Sequence, residues 1–134
     1  MFVDASAIVA ILTREPEAGH LSASLVRAKA PITSAIALFE AAIGIARKRN
    51  ISVETVQNEL EIFLSAAKIR TVEISEADAS EAISAFSRYG KGQGHPAQLN
   101  LGDCFAYALA RTTGEPLLFK SDDFRHTDIA PALA

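Results

Sequence analysis

The chain has 134 residues and a mass of 14.3 kDa, the size of one domain built on one core. Hydrophobic residues make up 49% and charged residues 22%, which excludes a disordered or collagen-like polymer. The formal net charge is −3, from 13 Lys+Arg against 16 Asp+Glu, which excludes a protein that holds nucleic acid chiefly by neutralising phosphates. Any nucleic-acid role must rest on a local patch, on metal ions or on brief contact.

Phe2-Val3 is a short apolar opening that reads as the end of a buried strand. Ala7 to Leu12 begins a helix, and Glu15-Pro16-Glu17 breaks it and starts a second, continued by His20 to Lys29. Ala30-Pro31-Ile32-Thr33 is extended, and Ser34 is placed to cap the next helix, about Ala35 to Arg49. There Ile36, Phe39, Ile43 and Ala46 have the spacing of a core-facing stripe, and Asn50 ends the helix.

Ser52 with Glu54 opens a further helix, whose apolar face is Val56, Leu60, Phe63 and Leu64. Ile69 to Val72 is a third strand. Ser75, with Asp78 three residues on, opens a helix to about Tyr89. The Gly90–Pro96 loop reads as a mobile connection bordering a substrate channel; it lacks the Gly-Lys-Ser/Thr ending of a phosphate-cradling loop. Leu101 to Thr113 is helical, with Gly114 as its terminator, and Pro116 to Phe119 is a fourth, wholly apolar strand. Asp128-Ile129 is a candidate fifth.

Strands alternating with helices imply a helix-rich α/β fold around a short parallel sheet of four to five strands, one domain over residues 1–134. No apolar run approaches the roughly 18 residues of a membrane span. The first residues lack a basic leader, and Cys104 is the single cysteine, so a reducing cytoplasm is the expected setting.

Ligands of open parallel sheets bind beyond the carboxyl ends of the strands. Asp4 and Asp122-Asp123 fall at such ends, while Glu40 lies against an apolar stripe and Asp103 opens a helix of apolar neighbours. Each has a purely structural explanation as well. Asp4 can cap a helix, Asp103 can favour a helix dipole, and Asp122 and Asp123 can be turn acids. Glu40 resists that treatment. A carboxylate on a buried face costs several kcal/mol unless paired, and Arg47, Lys48 and Arg49 lie two turns away. Four such acids at one sheet end need a cation, and an all-oxygen set suits Mg2+ or Mn2+. Zinc is disfavoured, because His20, His95 and His126 show no paired spacing. Such a site points to phosphate chemistry.

The order Val3-Asp4-Ala5-Ser6, then Leu38-Phe39-Glu40-Ala41-Ala42, then Asn100-Leu101-Gly102-Asp103-Cys104, then Phe119-Lys120-Ser121-Asp122-Asp123-Phe124 resembles the PIN-domain ribonucleases. Among these it is most similar to the VapC toxins of type II toxin–antitoxin pairs. The resemblance spans essentially the whole chain. It implies a three-layer α/β/α fold and Mg2+-dependent endonucleolytic hydrolysis of RNA, with water as nucleophile and a 3′-hydroxyl leaving.

It further implies that Asp4, Glu40, Asp103 and a fourth acid are catalytic and bind metal. The fourth is placed first at Asp122 with Asp123 second, in a tail where Ser121 departs from the family's glycine. Ser6 matches a small hydroxyl residue that orients a water or phosphate. The expected partners are RNA, a small VapB-like antitoxin threading a hydrophobic groove near Ile8–Leu25 and Val56–Leu64, and a second copy in a homodimer; no membrane is involved. Lys120 and Arg125, with His126, are placed to touch RNA phosphates.

The alternative is a non-catalytic PIN-like module that binds RNA or protein. A haloacid-dehalogenase-type phosphohydrolase needs an acid two residues after the first Asp, and that position is Ser6. A phospho-receiver arrangement lacks its paired acids.

Overall fold

In the computed structural model, which describes residues 1–133, four strands form one parallel sheet in the order β3-β2-β1-β4. They are β1 (Phe2–Val3), β2 (Ile32–Ser34), β3 (Arg70–Val72) and β4 (Leu117–Leu118). Phe2 is in register with both Ile32 and Leu117, and Ile32 to Ser34 with Arg70 to Val72. The helices are α1 (Ala5–Leu12), α2 (Ala18–Arg27), α3 (Ala35–Arg49), α4 (Val53–Ala67), α5 (Glu76–Tyr89) and α6 (Leu101–Thr113). A 3-10 turn, Asp122–His126, follows β4.

Successive strand residues face opposite sides, so each two-residue strand feeds two cores. Phe2 and Leu117 pack with Ala82 and Ala85 of α5 and with Cys104 and Tyr107 of α6. Val3 and Leu118 pack with Ile8 of α1, Leu21 of α2, Ile45 of α3, and Val56 and Leu60 of α4. The result is three layers, with α1 to α4 on one face and α5 and α6 on the other. Strands covered on both sides read as the continuous apolar runs seen in the sequence.

Local signals set the helix ends. The side chains of Ser34, Ser52, Ser75 and Asn100 each accept a backbone N–H of the turn they open. Asn50 (φ 53°) and Gly114 (φ 70°) end α3 and α6 in the left-handed conformation that such residues tolerate.

Two expectations are corrected. The buried face of α3 is Ala37, Ala41, Ile45 and Ala46, whereas Phe39 is 69% exposed. α3 packs against α1 so closely that a Cβ on Gly44 would lie 3.2 Å from Val9, and Phe39 is turned outward. Asp128-Ile129 is not a strand. The chain meets β4 two residues later, at a single bridge between Leu117 and Pro131. Asp128 is drawn onto Tyr107 instead, and proline, with no N–H, cannot extend a ladder.

The chain runs outward from β1 to β2 to β3, then returns to place β4 on the other side of β1. The order therefore reverses between β1 and β4. The residues just past them, Asp4 and the segment Phe119–Asp123, share the crevice where such sheets bind ligands.

Candidate active site

Asp4 leaves β1 and caps α1. Its N–H donates to the Leu118 carbonyl at 3.0 Å, and its Oδ2 accepts the Ser6 N–H at 3.0 Å and the Ser6 hydroxyl at 2.6 Å. The residue is 3% exposed, and burial pushes its pKa up against the lowering effect of these hydrogen bonds.

Glu40 reaches the same crevice from α3. It is half-buried, with its pKa raised by burial and by the charge of Asp4, and among the described residues no donor or cation offsets this. The nearest basic run is spent elsewhere, Lys48 on Glu15 and Arg49 on Glu59. What holds Glu40 in place is a glycine: a Cβ on Gly102 would lie 2.0 Å from Glu40 Oε1. The carboxylate rests directly on the first turn of α6, where a helix N-terminus favours negative charge.

Asp103 is the third residue of α6. Its Oδ2 accepts the Asn100 N–H at 3.1 Å, while the Asn100 side chain accepts the Asp103 N–H at 2.9 Å, a reciprocal capping box that fixes the carboxylate. Burial pushes its pKa up to about 7, against the Asn100 hydrogen bond and with the help of the charges on Asp4, Glu40 and Asp123.

Of the two aspartates after β4, Asp123 is the one whose charge Asp103 feels. It is partly buried. The Asp122 side chain is 86% exposed and pairs with Arg125 at 3.5 Å. The 3-10 turn sends consecutive side chains in different directions, and that separates them. Lys120 is held by Glu15 at 3.1 Å. Both cations expected to meet phosphate therefore already carry acidic partners.

Among the described residues, no three His, Cys, Asp or Glu side chains stand close enough to form a ligand set as they lie. The acids sense one another as charges. The donor chemistry nonetheless fits a hard divalent cation. It is all oxygen, it is anionic, and among the described residues Glu40 has no source of counter-charge. Asp4, Asp103, Glu40 and Asp123 are the residues that would hold it.

Other candidates have local duties. His95 Nδ1 accepts the Ala97 N–H at 3.0 Å, and its ring stands edge-on to Tyr89. The Cys104 thiol is buried and pushed up to about 11, the state of an inert core residue. Asn100 and Gly102 entered the sequence reading only as parts of the Asp103 motif, without roles of their own. An Asn three residues before an Asp, with glycine between, was the signal available.

The PIN domain family matches residues 1–130. Ribonuclease VapC42 of Mycobacterium tuberculosis is 42% identical over 132 residues, 98% of each chain. Ribonuclease VapC of Mycolicibacterium smegmatis is 42% identical over 130 residues, 97% of this chain and 98% of that one. The chain belongs to the VapC ribonucleases of the PIN-domain family. Two solved structures share the fold. VapC20 of Mycobacterium tuberculosis, described as a toxin cleaving the sarcin–ricin loop, has a TM-score of 0.73 at 17% identity, over 96% of this chain and 95% of its own. A toxin–antitoxin complex from Klebsiella pneumoniae has a TM-score of 0.64 at 18% identity, over 92% and 88%. The three-layer arrangement read from the VapC-like motifs is thus the arrangement of these structures.

Proposed function

We propose that this VapC ribonuclease is a Mg2+-dependent endoribonuclease, with Mn2+ able to substitute, and the toxin of a type II toxin–antitoxin pair acting in the cytoplasm as one domain over residues 1–134. The observation that carries the reading is the set of acids from four separate segments at the β1/β4 reversal, where Asp103 is pushed up to about 7 by burial and by three other carboxylates.

In this reading Asp4 and Asp103 would hold the ion, and Glu40 and Asp123 would hold and orient the attacking water. When bound, such an ion would offset charge on the phosphoryl and leaving oxygens. The protein supplies the rest. Glu40, with its raised affinity for a proton, accepts one from water as water attacks phosphorus. The P–O3′ bond breaks and the departing 3′-oxygen takes a proton from solvent, giving a 3′-hydroxyl and a 5′-phosphate. Lys120 and Arg125 reach the phosphates by exchanging Glu15 and Asp122 for RNA.

The cleft between α2 and α4, lined by Leu25, Val26, Phe63 and Ala67 with Lys29 and Lys68, supports the antitoxin groove expected there. A second copy is assigned to the α5–α6 face, where Ile83 (71%), Leu101 (67%) and Phe86 (42%) stand exposed.

The test is incubation of the purified chain with a mixed RNA pool in Mg2+, in Mn2+ and in excess chelator. Discrete fragments with 5′-phosphate ends, abolished by the chelator, are expected. RNA bound without cleavage in either metal would establish the non-catalytic alternative, and cleavage surviving chelation would remove the metal from the reading.

A further inference from the structure

A serine hydroxyl has one proton to give and two acceptor sites to offer, and at Ser6 the fold occupies all three. The hydroxyl donates to Asp4 Oδ2 at 2.6 Å and accepts the backbone N–H groups of Lys120 at 3.0 Å and Ser121 at 3.5 Å. The hydroxyl is thereby committed to the protein's own groups, which favours a structural tie over the water- or phosphate-orienting part that the family resemblance gives this residue.

Phe119 anchors the gripped segment by packing on the core and tilting against Phe124 at 5.2 Å, but among the described residues the backbone N–H groups of Lys120 and Ser121 find their acceptor only at Ser6. β4 is two residues long, and its last tie toward the site is the Asp4 N–H on the Leu118 carbonyl at 3.0 Å. Beyond that point Phe119 to Ser121 has left the sheet. The neighbouring contact, Lys120 Nζ on Glu15, runs through a flexible and exposed side chain that fixes backbone poorly. The Ser6 hydroxyl instead takes hold of the backbone itself, at a sequence distance of 114 residues. One link further, the Ser121 hydroxyl accepts the Asp123 N–H at 3.3 Å and starts the turn that carries the fourth acid. A continuous path of hydrogen bonds thus runs from the first acid to the last.

We propose that Ser6 is a positioning residue. By bonding Asp4 and the chain after β4 through one oxygen, it fixes the rotation of the Asp4 carboxylate and its separation from Asp123. This rests on the ribonuclease reading, because a fixed separation between these acids matters only if both serve one reaction.

The variants are Ser6→Ala, which removes the oxygen, and Ser6→Thr, which keeps it. In Ser6→Ala, amide exchange at Lys120 and Ser121 is expected to quicken about tenfold in chelator while exchange in the α4 core stays unchanged. With Mg2+, kcat falls about 10- to 100-fold with KM little altered, as for lost alignment rather than lost binding. Ser6→Thr restores both. Normal exchange at the two amides in Ser6→Ala, an unchanged kcat, or a threonine variant as slow as the alanine one would each overturn the assignment. A wild-type chain that cleaves no RNA would defeat the functional reading beneath it, a result visible before any variant is made.

Discussion

Helix α6 has an acidic neighbourhood at each end, and the two are built on opposite plans. At its first turn Asp103 meets Asp4, Glu40 and Asp123, and its pKa climbs to about 7. Toward its last turn Asp128 accepts the Tyr107 hydroxyl at 2.5 Å and faces Arg111 at 3.4 Å and Arg88 at 3.9 Å. Its pKa is held below the ordinary value, first by Tyr107 and then by the two guanidinium groups. Tyr107 in turn accepts from Arg88 at 2.8 Å. Acids at the second end arrive with their own counter-charges and tie the chain end to the helix. Acids at the first end arrive with none and leave that charge for something outside the chain to answer.

The sharpest way to break this contrast is to neutralise one acid at each end. Asp103→Asn or Asp4→Asn should lower the rate of RNA cleavage about 1,000-fold or more, while Asp128→Asn leaves it within about threefold. Equal losses in single-turnover assays would show the two ends to be alike. Gly102→Ala comes next. The new Cβ takes the place of the Glu40 carboxylate, so cleavage should fall about 100-fold. Thermal stability should change little, because alanine gains up to about 1 kcal/mol in helix propensity and the displaced group is a flexible side-chain end.

A smaller difference separates Asp123→Asn from Asp122→Asn, about 30-fold against about threefold, as suits one acid felt by Asp103 and one turned to Arg125. The reverse order would restore Asp122 as the fourth acid. The smallest effect is on stability. A folded-state pKa raised to about 7 means that folded Asp103 keeps a proton the unfolded chain releases near pH 4. Stability in chelator should therefore fall by roughly 1–2 kcal/mol as pH rises through that window, and Asp103→Asn should flatten the slope. Asp128 carries the opposite sign: its contribution is present above its unfolded pKa and fades on acidification through the lower folded value. Thermal melts of both variants across this range read the two slopes separately.

Much of the fold was legible because its signals are local. Ser34, Ser52 and Ser75 announce helix starts, Asn50 and Gly114 announce ends, and the apolar strands announce their double coverage. The α3 stripe was misjudged because size misleads there. Phe39 looks like core and is 69% exposed, while alanines make the contact. Asp4 stood out at a strand end, Asp103 at the start of an apolar helix and Glu40 as an acid against an apolar stripe with its basic run two turns away, properties that sequence spacing carries. The choice between Asp122 and Asp123 turns on the twist of a 3-10 turn, and the seat of Glu40 on Gly102 turns on how two distant helices approach. Neither is written in local pattern. The Tyr107–Asp128 tie went unseen for the same reason, and it moved the last bridge from the expected strand to Pro131.

That final bridge also settles how the sheet ends. With the Leu117 N–H given to the Ala130 carbonyl at 2.9 Å and the Ala132 N–H taken by the Leu117 carbonyl at 2.8 Å, the outer rim of β4 is already occupied by the chain's own backbone. The opposite rim is β3, three residues long, with Arg70 and Thr71 facing water. One margin is sealed and the other is brief and charged, the two devices by which natural sheets resist growing into aggregates.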